Sequence, residues 1–519
     1  MKTKSLFIVI LGFLVFLIPV PAHSWQGRMG GMGDPNGLVQ DESDFLIHPA
    51  GIANGKGINF YGNYWLNYKK TIDWDIPTDR LRSDGYFTQY PFETSGREWR
   101  YEGLLGAALP VGPGRMGIFF EYLGKRGKYD GSDLPNYDGS DGWYYNQTLK
   151  NNLDSFALRL LYGLPMGSFK IGGELQLAYK NEQNKNFQIE TETSTGDYWT
   201  YTNYFWNLYY GPEYNLYQFM IPYKSRYWEA LLKASMEGMV GPLKFNLTLK
   251  GGIPFSSKNK YLHEEYDSDD GDYDFLDIRG KVKGWNIGGE LWLRYPLSKN
   301  MTLPFVLRGE YQSLKRNGSG VWWDEPWWTY DYNHKENNFF IEVGGGADYK
   351  LANGARVAGG LYYNYIRKKQ SVYQTEIDTR DGDTWLYDHS NYPKQTEHRV
   401  VLRLAGEKEI NPMITMRMGL NFFYGWVKDG YDYGQSSPSD FLNISGSLDG
   451  SRWGIGASLG ATVKFDRFSI EPFLGGGYQK LSEKGDDVGA SGLYLYNFSV
   501  EQKKKDWSIG GGLSIKFNR

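Results

Sequence analysis

The sequence predicts an all-β fold, a transmembrane antiparallel β-barrel of about sixteen strands with short periplasmic turns and long extracellular loops. Three observations predict it. Segments of about ten residues alternate apolar and polar side chains, sending one face to lipid and the other to a watery lumen. The breaks between these segments alternate strictly between short and long, as hairpins meeting at opposite ends of a barrel require. Aromatic residues make up 17% of the chain although mean hydropathy is −0.55. A helical membrane protein would be far more apolar, whereas a barrel strand needs only every second residue apolar.

At the start of the chain, Lys2 and Lys4 precede an apolar run from Leu6 to Ile18, and Ala22 and Ser24 supply the small residues that a signal peptidase reads. Residues 1–24 are therefore expected to be a signal peptide cut after Ser24, because the run is shorter than the ~20 residues a spanning helix needs. Losing Lys2 and Lys4 moves the formal charge from −3 to about −5, which argues against nucleic acid as a partner. The chain has no cysteine. Stability must come from closed strand pairing, and disulfides, thiolate metal sites and covalently attached c-type haem are excluded for this chain.

The expected barrel covers residues 57–519. Its first strand sets Ile58, Phe60, Tyr64, Leu66 and Tyr68 against Asn59, Asn63 and Asn67. Later segments repeat the rule: Ile171, Leu175 and Leu177 against Lys170, Glu174 and Gln176, then Leu243, Phe245 and Leu247 against Lys244, Asn246 and Thr248. The terminal segment puts Trp507, Ile509, Leu513, Ile515 and Phe517 on one face and Ser508, Ser514 and Lys516 on the other. A one-residue slip would turn charged residues to lipid, where a midplane Arg or Lys costs roughly 2–4 kcal/mol, so the faces are well determined. Pro304 and Pro472 fall inside strand-like segments and predict a bulge, a late start or a miscount. Short turns are expected at 110–114, 164–168, 241–242, 296–300, 352–354, 411–412 and 466–467. Long external breaks are expected at 69–96, 124–152, 181–226, 251–281, 312–337, 367–397, 425–451 and 480–505.

The inferred lumen face carries charges of both signs: Arg100, Glu102, Arg159, Lys170, Glu174, Glu290, Arg294, Arg308, Glu310, Arg403 and Arg417. In an open pore such groups set the field, and in a plugged barrel they brace the wall or clamp the plug. The external breaks are rich in aromatics, among them Trp199, Trp206, Trp322, Trp323, Trp327 and Trp328. These would stack on sugar rings or bind apolar solutes, or simply pack loop on loop. No histidine or carboxylate spacing marks a catalytic triad or a metal site, so neither enzyme activity nor a cofactor is expected.

Ahead of the first strand, residues 25–56 show no alternation. They contain Gly30, Gly31 and Gly33, then Asp41, Glu42 and Asp44, then His48, Pro49, Ala50, Gly51, Ile52 and Ala53. A segment this rich in glycine, with Phe45, Leu46 and Ile47 in its middle, suits a packed lumenal insert better than a wall strand. It resembles the N-terminal signature of the FadL-type hydrophobic-solute transporters, in which a glycine-rich start and an acidic stretch lead to Asn-Pro-Ala-Gly. Here His48 stands where that family has Asn. The resemblance implies that residues 25–56 fold inside the barrel as a hatch, with Asp41, Glu42, Asp44, His48, Pro49 and Gly51 as its candidate residues.

The functional expectation is a passive, porin-like solute channel of the bacterial outer membrane. Its rivals are a FadL-like carrier of hydrophobic compounds, a sheath around an electron-conducting cytochrome, and a surface-binding or structural barrel. Expected partners are outer-membrane lipid and lipopolysaccharide, the machinery that inserts barrels, and, for a sheath, a periplasmic or surface cytochrome as a separate chain.

Overall fold

The computed structural model describes residues 32, 37–39, 42–77, 92–133, 143–192, 198–202, 223–267, 273–322, 327–379, 384–436, 441–491 and 494–518. Two 3-10 turns, Glu42–Leu46 and Pro49–Asn54, precede the strands β1 (Asn59–Pro77), β2 (Phe92–Val111), β3 (Gly114–Asp133), β4 (Trp143–Met166), β5 (Phe169–Glu192), β6 (Tyr198–Thr202), β7 (Tyr223–Val240), β8 (Leu243–Asp267) and β9 (Tyr273–Pro296). The wall continues with β10 (Met301–Trp322), β11 (Trp328–Lys350), β12 (Arg356–Asp378), β13 (Trp385–Asn391), β14 (Lys394–Asn411), β15 (Ile414–Ser436), β16 (Phe441–Lys464), β17 (Phe468–Ser491) and β18 (Tyr494–Asn518).

All pairings are antiparallel between neighbours, and β1 closes the ring on β18 from Asn59↔Asn518 to Pro77↔Val500. β6 and β7 both pair with β5 and β8, and β13 and β14 both pair with β12 and β15. Each of these two couples is one interrupted wall strand, so the barrel has sixteen positions. Closure leaves no open edge to expose unpaired backbone groups to lipid.

Short turns fall within or beside the predicted breaks, but those at 110–114 and 164–168 are tighter than expected, because Pro110 and Leu164 to Met166 are paired in strands. Val111↔Gly114, Met166↔Phe169 and Val240↔Leu243 each close over two residues, with Gly112, Gly167 and Gly241 at φ near +60°. A first-position glycine of this kind matches the type II′ hairpin, whose twist suits the flanking strands.

Two further expectations need correction. The long breaks are mostly strand: β3 runs to Asp133 and β4 restarts at Trp143, within the predicted 124–152 loop, and barrel strands reach 18–25 residues. Above the bilayer both faces of a strand meet water, so hydrogen bonding continues after the apolar alternation ends. Pro304 and Pro472 produce no register shift either. Thr302↔Asp348 and Phe305↔Gly345 share one register, as do Gly460↔Phe473 and Val463↔Ile470, so each proline forgoes ladder bonds without displacing its strand. The irregularities lie elsewhere, between Arg226 and Trp228, between Gly252 and Asn259, and between Glu409 and Asn411.

The outward face is apolar around the lower wall, where Phe120, Phe156, Leu232, Leu249, Ile287, Leu361, Met418, Leu459 and Ile509 are exposed. A band of this kind is stable only against lipid, which defines a transmembrane β-barrel. Its upper rim is a ring of outward aromatics in mutual contact, including Tyr68–Trp99, Tyr179–Trp228, Trp285–Tyr311 and Tyr478–Trp507. Aromatic side chains favour the headgroup level of a bilayer.

Candidate functional site

The buried apolar core lies inside the barrel, where residues before β1 meet the wall. Phe45, Leu46 and Ile52 cluster with inward-facing Tyr61, Leu104, Phe119 and Leu161, all nearly inaccessible to solvent. Phe45 packs at 5.5 Å from both the Tyr61 and Phe119 rings. Each such large apolar side chain contributes about 1.5–3 kcal/mol when fully buried. Met32, Leu38 and Val39 form a second contact, against Ala358 and Ala405 of β12 and β14.

The turn Pro49–Asn54 begins on a proline, whose fixed φ and missing N–H suit a first helical position. It rests on wall glycines. A Cβ on Gly172 would stand 2.3 Å from the Ala50 nitrogen, and one on Gly163, its cross-strand partner, 2.7 Å from Ile52 Cγ2. No other residue type lets two backbones approach so closely.

Polar clamps fix the orientation. The Leu46 carbonyl accepts from Arg159 Nη2 at 2.7 Å and from Lys233 Nζ at 2.9 Å. Arg159 is held by Glu174 (2.8 and 3.0 Å) and Glu121 (3.1 Å), and Lys233 by Glu174 at 3.1 Å. The Ala50 N–H donates to Ser235 Oγ at 2.6 Å. Asn54 bonds Glu237 and Lys170, and Lys170 pairs with Glu237 at 3.0 Å. Arg294 donates to the Leu38 carbonyl at 3.1 Å while paired with Asp348 at 2.6 Å.

His48 is 1% exposed. Its Nδ1 shares a 2.6 Å hydrogen bond with Thr248 Oγ1, its ring meets Trp292 edge-on at 4.4 Å, and its Nε2 has no hydrogen-bond partner among the described residues. Burial, reinforced by the Lys233 ammonium and opposed by Glu237, lowers its pKa to about 3. The seated imidazole is therefore neutral.

The remaining lumen charges pair within the wall. Arg100 meets Glu102 at 2.6 Å, Glu342 is shared by Arg308 (3.1 Å) and Arg403 (2.7 Å), Lys250 meets Glu310 at 2.5 Å, and Arg417 meets Glu407 at 2.7 Å. Glu290 accepts from Trp292 Nε1 at 2.6 Å. Asp44 is buried, and its carbonyl accepts from the Ile47 and His48 N–H groups at 3.0 and 2.7 Å; the Gly51 N–H donates to the His48 carbonyl at 2.8 Å. Asp41, Trp206 and Trp323 lie outside the described residues, as do the side chains of Glu42, Trp199 and Trp322. Trp328 opens β11 and Trp327 is the turn residue before it.

Higher in the lumen, Arg316 of β10 bonds Glu182 of β5 at 2.9 Å and Glu336 of β11 at 2.6 Å. Three wall positions separate β5 from β10, so the first bond cuts across a quarter of the ring. Tyr227, Val282 and Leu314 pack beside it.

Sequence reading missed the apolar inward residues and the glycines beneath the turn. Their signal was present as doublets that break the alternation: Leu104-Leu105, Phe119-Phe120, Leu160-Leu161 and Gly172-Gly173.

No family model and no curated protein sequence matches the chain. Among solved structures, a Pseudomonas aeruginosa FadL homologue aligns over 96% of this chain and 100% of its own, at 10% identity and a TM-score of 0.39. The Pseudomonas putida toluene transporter TodX aligns over 96% and 99%, at 11% identity and a TM-score of 0.39. The CymD monoaromatic hydrocarbon channel aligns over 97% and 98%, at 11% identity and a TM-score of 0.35. Similarities of this size leave function to this chain's own residues.

Proposed function

We propose that the chain is a passive solute channel of the bacterial outer membrane, closed at rest by a hatch made from the residues ahead of β1. The observation that carries this reading is the double clamp on the Leu46 carbonyl. Two wall cations, Arg159 and Lys233, hold one backbone oxygen of a segment whose next turn rests on Gly163 and Gly172. A wall braced only for its own stability has no need of such donors, whereas a gate must be seated yet releasable. The seated segment and the Arg316–Glu182 bond across one sector of the lumen argue against a wide bore sheathing a cytochrome. Single-channel conductance in planar bilayers tests the proposal. Full-length protein should conduct weakly and a variant lacking residues 25–56 strongly, with a heat-modifiability gel verifying that both barrels are closed. Large, equal conductance from both would refute the hatch, and no conductance from either would refute the channel.

A carrier of hydrophobic compounds is the second reading, and one feature favours it. The β8–β9 ladder is interrupted between Gly252↔Asn286 and Asn259↔Gly280, beside outward-facing Phe255 and Trp285 at the lipid boundary. A lateral exit for apolar solutes would need such a break. Uptake of a labelled aromatic hydrocarbon by proteoliposomes, blocked by a disulfide placed across the break, separates it from the porin-like reading.

A further inference from the structure

The outward face just above the aromatic ring carries an arrangement that strand pairing by itself disfavours. On four consecutive strands, Lys70, Arg97, Lys128 and Lys150 stand directly opposite one another in register. On three more, Lys283, Lys315 and Lys335 do the same. Lys369 faces Lys394, Arg226 faces Lys258, and Lys480 faces Lys505. Directly opposed like charges destabilise a sheet.

Composition does not account for it, since the whole chain is net acidic at −3. Nor is the wall unable to alternate charge, because its inward face sets Arg308 opposite both Glu290 and Glu342. Carboxylates answer some of the outward cations: Asp130 reaches Lys128 at 2.7 Å, and Asp449 reaches Lys428 at 3.5 Å. Lys283, Lys315 and Lys335 are all exposed. Lys283 also lines an outward groove of about 650 Å³ on β9 to β12, together with Lys281, Asn317 and Tyr373.

The height of these rows identifies what they face. Lys70 lies two residues beyond Tyr68, Arg97 two beyond Trp99, Lys283 two beyond Trp285 and Lys480 two beyond Tyr478, each on the same face. Two strand residues span roughly 6–7 Å, so cations based there meet the layer just outside the hydrocarbon. We infer that the opposed basic rows form a phosphate-binding girdle for the phosphorylated glycolipid of the outer leaflet, with Lys283, Lys315 and Lys335 the row whose three members are all exposed beside that groove. Lipid phosphates set between neighbouring strands turn repulsion between cations into bridging attraction. The inference rests on the outer-membrane reading proposed above.

The experiment uses the purified full-length barrel in detergent, with bisphosphorylated lipid A, the same lipid A after dephosphorylation, and inorganic phosphate as probes, read by native mass spectrometry. Binding of bisphosphorylated lipid A but not the dephosphorylated form is expected, with roughly a hundredfold weakening in a K283Q/K315Q/K335Q variant and retention in the corresponding triple arginine variant. Equal binding of both lipids overturns the girdle, and the comparison needs no variant to fold. Unchanged affinity in a heat-modifiable glutamine variant overturns the assignment to these lysines. Competition by millimolar inorganic phosphate assigns the site to the free anion and overturns the lipid. Sucrose-gradient fractionation of cells reports membrane location separately, so an outer-membrane barrel without phosphate dependence would sink the girdle alone.

Discussion

Gly172 of the wall and Ala50 of the lumenal segment occupy almost the same place: a β-carbon on the first would lie 2.3 Å from the backbone nitrogen of the second. Neither backbone can yield easily, because Gly172 is paired to β4 and β7, and the Ala50 N–H is bonded to Ser235. Gly172→Val is therefore expected to unseat the hatch while the barrel closes normally. Protease sensitivity of residues 25–56 in a heat-modifiable barrel is the readout, and an unchanged, protected segment would contradict the arrangement.

Arg159 is expected to matter far more than its charge alone suggests. Replacing it with Ala leaves Glu174 and Glu121 short of their shared cation and removes one of two donors to the Leu46 carbonyl. Breaking a buried pair of this kind costs about 3–5 kcal/mol. Lys428→Ala, which removes an exposed pair with Asp449, should change stability by less than about 1 kcal/mol. Urea titration of hatch release, followed by Trp292 fluorescence, distinguishes the two.

Acid should open the hatch through His48. Its pKa falls from 6.5 in the released segment to about 3 when seated. The released state therefore binds more protons between these values, and seating is favoured fully above pH 6.5 and lost as pH falls through that window. Within it the seated-to-released ratio should fall about tenfold per pH unit. Conductance of the wild type should rise between pH 6 and 4, and His48→Phe should flatten that rise. An identical profile in both would exclude His48 as the sensor.

The orientation of the wall predicts an asymmetric labelling pattern. Ser298 lies in the short β9–β10 turn, and Ser319 is exposed near the far end of β10. On intact cells an impermeant maleimide should modify Ser319→Cys and not Ser298→Cys. The reverse result would invert the barrel.

Lipid-facing residues were the most legible part of the fold. Lipid imposes one rule on every strand that crosses it, so Phe60, Ile171, Ile509 and Phe517 could be placed by parity, and sixteen positions followed. Strand length was less legible, because β5 beyond Lys180 alternates no differently from a loop once water lies on both sides. The seat of the lumenal segment was least so. Phe119 and Leu161 face inward against the general rule, and only the segment they receive, far away in sequence, explains them.

The excess length of the wall carries a consequence of its own. Strands of 18–25 residues at ~3.3 Å each, tilted by about 40°, rise roughly 45–63 Å, against an apolar band about 25 Å tall. Roughly 20–38 Å of hydrogen-bonded cylinder then projects past the lipid. A solute that approaches from that side meets a stiff chimney before it meets the membrane. Substitutions near its far rim therefore touch neither the apolar band nor the seat of the lumenal segment.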